Sequence, residues 1–337
     1  MDTLQIKSAV AMRLLCKVIL YGLMVSGLVL FPAVVLAQTS DEPDVIRVDA
    51  DLVDLKVSVL RLDPLNAVEE LKQSDFLVLE DGKPQEIAFF AGESAPFDLV
   101  LLLDLSASSS KKLKLVRNSA KRFVEVARPI DRIAVVTFTD AAHVISPLTL
   151  DREELKKAIK KIEDPAGGTN FYDSLRFVLE WVLPAQRGPR RSAVVVMTDG
   201  VDNALPDVFG DGSRTSFAEL LERVRASDAI VFPVYLDTEQ EEVKRHRSTA
   251  NAYAIAREQL KQLADTGGTK VYPAKELKDL DQVYDQVIKD LGTVYSLGYR
   301  SSNTVRNGKW RSVAVQIIGR PGVTAHTKRG YFTRAEN

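Results

Sequence analysis

Apolar and polar residues follow different periods in three parts of the chain. Between residues 97 and 290, short runs of Leu, Val and Ile alternate with longer segments whose apolar residues recur every three or four positions. The short runs lie at 98–104, 132–138, 193–199 and 229–236, with a still shorter one at 269–272. Continuous apolar runs are typical of strands that are buried on both faces of a parallel sheet. This alternation predicts a doubly wound, mostly parallel α/β sheet.

The longer segments between these runs predict helices. They cover roughly 110–127, 151–163, 171–184, 215–227, 250–265 and 276–291. Asp151 and Glu154 form a variant of the capping box, in which the first residue caps the helix start and the fourth reaches back to it. Trp181 falls on the apolar face of its helix, so we expect it in the core.

Both flanks of this region switch to a period of two. The alternating segments lie at 45–62, 71–80 and 85–90 before it, and at 293–299, 310–318 and 323–332 after it. They are typical of strands with one solvated face, and Asp81-Gly82 is a hairpin turn signal. So few strands cannot bury an apolar face alone. We therefore predict that 44–95 and 293–334 pair into one small β-sandwich, with the α/β domain 96–292 inserted between its halves.

The N-terminus is predicted to be a secretory signal peptide at 1–37, followed by a linker at 38–43. Basic residues precede an apolar stretch at 18–36, and Val35 and Ala37 supply the small-residue cleavage site. The alternative is an uncleaved anchor, because the apolar stretch approaches the length that spans a bilayer. The polar residues directly after Ala37 favour cleavage, so we expect an exported protein, either periplasmic or extracellular.

Composition narrows the class of protein further. The chain has 337 residues, of which 45% are hydrophobic, which is enough for a sizeable core. Its net charge of −1 argues against a nucleic-acid partner, because nucleic-acid-binding domains carry a basic surface. The only cysteine, Cys16, precedes the apolar core of the predicted signal peptide. The mature chain must therefore be stable without disulfides.

Two of the predicted strands end in carboxylates. Asp104 closes the run at 98–104 and is followed at intervals of two by Ser106 and Ser108, while Asp199 closes the run at 193–199. Because the carboxyl ends of such strands lie on one rim of the sheet, we expect these side chains to meet there. Carboxylate and hydroxyl oxygens without Cys or His form a ligand set for a hard divalent cation.

A wider set of residues then points to a family. Asp104-x-Ser106-x-Ser108, Thr169 in a Gly-Gly-Thr loop and Asp199 in a Thr-Asp-Gly strand end together resemble the metal-ion-dependent adhesion site (MIDAS) of von Willebrand factor type A domains. The resemblance implies a Rossmann-like fold that binds Mg²⁺, with Mn²⁺ and Ca²⁺ as alternatives. It implies direct bonds from Ser106 and Ser108, bonds largely through water from Asp104 and Asp199, and a direct bond from Thr169 in the ligand-competent state.

The flanks carry a second, narrower resemblance. The phrase Asp-Phe-x-Val-x-Glu-Asp-Gly-Lys at 75–83 and the phrase Tyr-Ser-Leu-Gly-Tyr at 295–299 resemble a bacterial secreted family that is usually called VWFA-related, of acidobacterial type. This resemblance covers nearly the whole mature chain, and it implies no settled function.

The leading functional hypothesis is a secreted, divalent-cation-dependent protein-binding module of the adhesion type. Few direct negative ligands leave the ion electrophilic, so it would capture an acidic side chain of a partner as its last ligand. The alternative is a structural or assembly protein of the cell envelope whose metal site only stiffens loops. A hydrolase is less favoured, because aspartate-based phosphatases place a second Asp two residues after the first, where this chain has Ser106. We expect no enzymatic activity, no nucleic-acid binding and no stable membrane insertion after signal cleavage.

We predict that export removes residues 1–37, because Val35 and Ala37 form the cleavage site and polar residues follow it directly. N-terminal sequencing of the exported protein should begin at Gln38. A membrane-bound product that still carries residues 18–36 would show that the segment is an anchor.

Overall fold

The computed structural model describes residues 52–61, 70–92, 95–106, 110–163, 167–186, 190–245 and 249–334. The predicted signal peptide, the linker, the start of the first flank and Ser108 lie outside the described residues. Everything described below belongs to one compact unit, 51–337. Within the described ranges, no helix has both the length and the apolar character that a membrane span requires.

Fourteen strands and seven α-helices are present in these ranges. The strands are β1 (Leu52–Arg61), β2 (Phe76–Glu80), β3 (Lys83–Gln85), β4 (Ile87–Ala91), β5 (Phe97–Asp104), β6 (Arg132–Phe138), β7 (Ala142–Thr149), β8 (Arg191–Thr198), β9 (Ile230–Leu236), β10 (Tyr272–Ala274), β11 (Val294–Arg300), β12 (Trp310–Ile317), β13 (Val323–His326) and β14 (Gly330–Phe332). The helices are α1 (Ser110–Val126), α2 (Arg152–Lys160), α3 (Phe171–Phe177), α4 (Phe217–Ala226), α5 (Glu239–Arg245), α6 (Ala250–Gly267) and α7 (Leu280–Gly292).

The central sheet has the strand order β10-β9-β8-β5-β6-β7. All neighbours are parallel except β7, which runs antiparallel to β6 at the sheet edge. The predicted doubly wound, mostly parallel sheet is thus confirmed. Strand β7 was not predicted, because its side chains are mostly exposed or half-buried and it therefore carries no continuous apolar run.

Strand β5 explains why the sheet is buried on both faces. Leu99, Leu101 and Leu103 belong to a core cluster that includes residues of α1, α2 and α7. Val100 and Leu102 belong to the opposite cluster, with residues of α3, α4 and α6. Successive side chains of a strand point to opposite faces, so only a continuous apolar run can fill both clusters.

The flanks form two four-stranded antiparallel sheets with the orders β13-β1-β11-β4 and β14-β12-β2-β3. Each sheet takes strands from both ends of the chain, since β1 pairs with β11 and β2 pairs with β12. One apolar cluster joins Leu55 and Phe76 of the first flank to Tyr295 and Val313 of the second. The predicted sandwich of both flanks is therefore present. The domain limits 44–95, 96–292 and 293–334 stay predictions.

A buried ion pair lies inside this sandwich. The Arg311 guanidinium is 3.1 Å from Glu80 Oε1, and the two side chains are only 6% and 2% exposed. The hydroxyls of Tyr299 and Tyr331 donate to Glu80 Oε2 at 2.7 and 2.9 Å. Ser301 also donates to this carboxylate. The donors come from the second flank and the carboxylate from the first, so the cluster ties the two halves of the sandwich together.

The inserted domain is fastened to the sandwich at its entry and exit. Arg191, the first residue of β8, donates to the backbone oxygens of Ala91 and Gly92, just before the domain, and of Val294, just after it. One buried guanidinium thus holds both crossings of the chain. Lys328 makes a further contact, because its ammonium donates at 2.8 Å to the Val224 oxygen in the last turn of α4. Helix carbonyls in the last turn lack intrahelical partners, so a cation is favourable there.

Trp181 contradicts its predicted place in the core, because it is 68% exposed. Helix α3 continues as a π-helical turn at Val178–Val182. Its wider hydrogen bond runs from Leu183 N–H to the Val178 oxygen, five residues back. A π-bulge adds a residue to the turn, so the periodicity that placed Trp181 on the apolar face no longer holds.

We predict that Arg311→Met destabilises the protein by about 3–5 kcal/mol, because it leaves the Glu80 carboxylate buried without its cation. Urea unfolding followed by circular dichroism measures the change. The matched control is Arg329→Met, which breaks an ion pair with Asp265 whose side chains are 74% and 52% exposed. The control should change stability by less than about 1 kcal/mol. Equal effects of the two substitutions would contradict the role of the buried cluster.

Candidate metal site

The register of β5 and β8 brings the first predicted ligands together. Leu103 pairs with Met197, so Asp104 and Thr198 are the next residues on adjacent parallel strands. The Thr198 hydroxyl donates to Asp104 Oδ2 at 2.6 Å. Asp199 follows directly and is close enough for its charge to act on Asp104. Both acids therefore lie at the carboxyl rim of the sheet, as the sequence predicts.

Ser106 is bound to the first of these acids. Asp104 Oδ1 accepts hydrogen bonds from the Ser106 backbone N–H at 3.0 Å and from its hydroxyl at 2.6 Å. The chain directly after β5 thus turns back at Ser106 toward the strand end. Ser108, the third member of the predicted motif, lies outside the described residues.

The electrostatics of this pair favour a bound cation. Burial raises the pKa of Asp104 to about 7, and the negative charge of Asp199 adds to this rise. Hydrogen bonds from Ser106 and Thr198 act in the opposite direction. Within the described part of the chain, no Lys or Arg forms an ion pair with Asp104. A divalent ion between the two acids would supply the missing positive charge.

Asp199 is held by residues that the sequence reasoning missed. Its Oδ1 accepts the Val201 N–H at 3.0 Å. Its Oδ2 accepts the hydroxyls of Thr238 at 2.6 Å and of Tyr253 at 3.2 Å. Thr238 follows the end of β9 on the same rim, so its position along the sheet was a usable signal. Tyr253 lies within α6, and no local pattern connects it to the strand end.

The backbone geometry directly after Asp199 favours glycine at position 200. Its φ of +79° lies in the left-handed region, which residues with a side chain rarely adopt. A Cβ at this position would also lie 2.9 Å from Leu260 Cδ1, in α6. The Thr-Asp-Gly sequence thus lets the loop turn sharply and pack closely on a helix.

The loop that carries Thr169 is fixed by backbone contacts on both sides. Asn170 N–H donates to the Thr139 oxygen at 2.8 Å, just after β6. Asn203 N–H donates to the Thr169 oxygen at 2.9 Å. Asp140 accepts the Gly168 N–H. Thr169 is buried and lies between the end of β6 and the loop after β8.

The long loop after Asp199 is held in turn by a fully buried carboxylate. Asp202 Oδ1 accepts the N–H groups of Ala204 and Ser213 at 2.8 and 3.0 Å. Its Oδ2 accepts the Tyr172 N–H at 3.0 Å and the Ser213 hydroxyl at 2.6 Å. This residue therefore connects the loop to the start of α3, which follows the Thr169 loop.

The donor set fits a hard cation. The described residues offer the carboxylates of Asp104 and Asp199 and the hydroxyls of Ser106 and Thr169. In the same ranges, no group of three or more His, Cys, Asp or Glu converges on one point, so any ion here must rely on hydroxyl oxygens as well. Oxygen-only ligands favour Mg²⁺, Ca²⁺ or Mn²⁺. The full ligand set, including Ser108, stays a prediction.

Comparison with known proteins assigns part of the chain to a family. Residues 99–201 match the family profile of the von Willebrand factor type A domain, a range that contains every predicted ligand. A UPF0353 protein of Nocardia farcinica (strain IFM 10152) is 27% identical over 212 residues, covering 58% of this chain and 63% of the relative. Calcium-activated chloride channel regulator 3A-1 of Mus musculus is 24% identical over 227 residues, covering 64% of this chain and 22% of that protein. The chain thus spans less than two thirds of the length of either relative.

Two solved structures align with this chain at low similarity. Proximal thread matrix protein 1 from the mussel byssus, with a zinc-occupied MIDAS motif, aligns with a TM-score of 0.48 and 19% identity, covering 64% of this chain and 50% of that chain. The vWF domain of the type V pili tip protein Mfa5 from Porphyromonas gingivalis aligns with a TM-score of 0.43 and 14% identity, covering 58% and 94%. Scores this low support no functional comparison.

Residues 99–201 belong to a von Willebrand factor type A domain. The narrower assignment to the acidobacterial type stays a prediction.

We predict that Gly200→Ala destabilises the protein by about 2–4 kcal/mol, because it combines left-handed backbone strain with overpacking against Leu260. Gly319→Ala is the matched control, since Gly319 has a φ of +69° and no atom within 4 Å of the added Cβ. The control isolates the backbone strain and should reduce stability by about 1 kcal/mol. Thermal or urea unfolding measures both. A Gly200 variant no less stable than the control would mean that close packing on α6 is not required.

Proposed function

We propose that this chain is an exported, divalent-cation-dependent protein-binding module that captures an acidic side chain of a partner protein. The observation that carries the proposal is the pair of carboxylates, Asp104 and Asp199, that meet at the rim of the sheet beside the Ser106 hydroxyl. Mg²⁺ is the preferred ion, with Mn²⁺ and Ca²⁺ as alternatives.

The hydrogen bonds at Asp104 support indirect binding by this acid. Its two oxygens already accept the hydroxyls of Ser106 and Thr198. A serine oxygen can bind an ion through a lone pair while its hydroxyl donates a hydrogen bond to the carboxylate, so Ser106 fits the role of a direct ligand. We assign direct bonds to Ser106, Ser108 and Thr169, and bonds through water to Asp104 and Asp199.

This ligand assignment favours capture of a partner. Hydroxyls are neutral, so an ion that they hold keeps most of its positive charge at the surface. Mg²⁺ demands near-octahedral oxygen coordination, and a carboxylate from another protein can complete it. The bound ion would attract that carboxylate. The chain's own ligands would fix the position of the ion and so the direction from which the carboxylate approaches.

The surroundings of the site offer room for a protein. A surface cavity of about 1090 Å³ adjoins the Thr169 loop, and Asn170, Asn203 and Arg214 are among the residues that line it. Phe209 lies on the same cavity wall and is 85% exposed. Exposed aromatic side chains are enriched where proteins bind one another. Residues of the partner protein next to the captured carboxylate would contact this surface.

The competing functions have less support. If the ion were purely structural, its role would be to stiffen the rim loops. The longest of these loops is already held by four hydrogen bonds to Asp202. A hydrolase would need a nucleophile or general base beside the ion, and we assign no catalytic residue. Nucleic acid is a poor partner for a chain of net charge −1. The proposed export rests on the predicted signal peptide. We further propose that the chain does not insert stably into a membrane once this peptide is cleaved.

We predict that Asp104→Asn abolishes the binding of Mg²⁺ and Mn²⁺, because it removes a charge while conserving size. Isothermal titration calorimetry measures ion affinity. At 100 times its dissociation constant, the ion should stabilise the wild-type protein by about 2.7 kcal/mol. The control is Asp265→Asn, which alters an exposed carboxylate on α6. Unchanged ion affinity in the Asp104 variant would refute the metal site.

Partner capture needs its own test. The wild-type protein, immobilised in Mg²⁺, should retain a specific protein from envelope and secreted fractions and release it to a chelator. Thr169→Ala should weaken this capture more than it weakens ion binding, since its direct bond is assigned to the ligand-competent state. Conversion of the partner's carboxylates to amides should abolish capture. Retention that is insensitive to the chelator and to the Asp104 variant would exclude the proposed mode.

A further inference from the structure

We infer that Tyr253 and Thr238 are positioning residues of the ion site, which hold the Asp199 carboxylate in the orientation that serves the ion. The inference rests on the proposed function of the site. It concerns residues outside the matched family range, which ends at residue 201.

Three side-chain oxygens form a closed triangle behind the rim. Thr238 Oγ1 is 2.6 Å from Asp199 Oδ2, and the Tyr253 hydroxyl is 3.2 Å from the same oxygen. The hydroxyls of Thr238 and Tyr253 are 2.9 Å apart. All three residues are buried, and Tyr253 is only 3% exposed. Hydrogen bonds of this kind are strong, because the acceptor is a charged group shielded from water.

The triangle fixes the orientation of the acid. The hydroxyls of Thr238 and Tyr253 each have one proton, and both lie within hydrogen-bond distance of Asp199 Oδ2. Asp199 Oδ1 accepts the Val201 N–H at 3.0 Å. Because both carboxylate oxygens are held, the carboxylate cannot rotate freely and Oδ1 keeps one direction at the rim.

Packing makes the tyrosine a rigid donor. Its ring belongs to a small apolar cluster with Val201, Leu205, Ala252 and Ala256. The first two of these lie in the loop after Asp199, and the others lie in α6 with Tyr253. The same contacts thus seat the loop on the helix and aim the hydroxyl at Asp199. Thr238 approaches from the segment that follows β9, so two separate elements define the position of the acid.

The expected size of the effect follows from other metal sites. Partners that hydrogen-bond to metal ligands orient them, and their loss typically weakens metal affinity about 10–100-fold. Here Asp199 is assigned a bond through water, so we expect about 10-fold for each hydroxyl, at the low end of that range. Because both hydroxyls act on one oxygen, their removal together should have less effect than the product of the single losses.

The test uses Tyr253→Phe, Thr238→Val and the double variant in the full chain. Mg²⁺ affinity is measured by calorimetry, and thermal unfolding is measured in chelator. Tyr284→Phe is the matched control, because its hydroxyl is also buried but has no hydrogen-bond partner among the described residues. We expect about 10-fold weaker Mg²⁺ binding for each single variant, and less than a twofold change for the control. In chelator, Tyr253→Phe should unfold at a somewhat lower temperature than the control, because it loses buried hydrogen bonds, but it should remain fully folded at the temperature of the calorimetry.

Three results would overturn the inference. Wild-type ion affinity in both single variants, together with its loss in Asp104→Asn, would remove the positioning role and leave the proposed function intact. Affinity losses that occur only at temperatures where the variants are partly unfolded in chelator would assign Tyr253 and Thr238 a purely structural role. Absence of Mg²⁺ and Mn²⁺ binding in the wild-type protein would overturn the proposed function as well.

Discussion

The parallel register of β5 and β8 is the constraint on which the rest of the site depends. It places two strand ends side by side and therefore brings Asp104 and Asp199 into one partly buried region. Two like charges in such a place repel each other, and burial adds to the penalty. Hydroxyl donors hold each of the two carboxylates in place. We propose that a divalent cation balances their charge.

The same strand connects the site to the rest of the molecule. Arg191 at the start of β8 holds the two chain crossings into the sandwich, and Thr198 at its end holds Asp104. The two roles lie at opposite ends of this eight-residue strand, about 23 Å apart. The sandwich is therefore attached at the opposite end of the sheet from the rim. A partner can approach the site without contact with the two crossings, so anchoring and binding are spatially separate.

Sequence reasoning reached the features that local patterns encode. The buried strands were predicted because Leu and Val must fill both faces, and Asp104 and Asp199 were identified because each ends such a run. Trp181 was misplaced because a π-helical turn leaves no mark in the apolar period. Tyr253 was missed because its contact with Asp199 spans 54 positions and depends on how α6 packs. Contacts of this kind follow from tertiary structure alone.

Preorganisation of the rim determines how much of the proposed ion's binding energy would be spent on ordering the loops. If the loops became ordered only around an ion, much of that energy would offset lost chain entropy. Here Asp202 joins the loop after β8 to α3, and the hydroxyl of Thr238 fixes Asp199 from a third element. The order of the rim therefore comes from buried hydrogen bonds within the chain. On the proposed function, ion affinity would then depend on the alignment of a few oxygens, and the remaining charge of the ion would stay available to a carboxylate from outside.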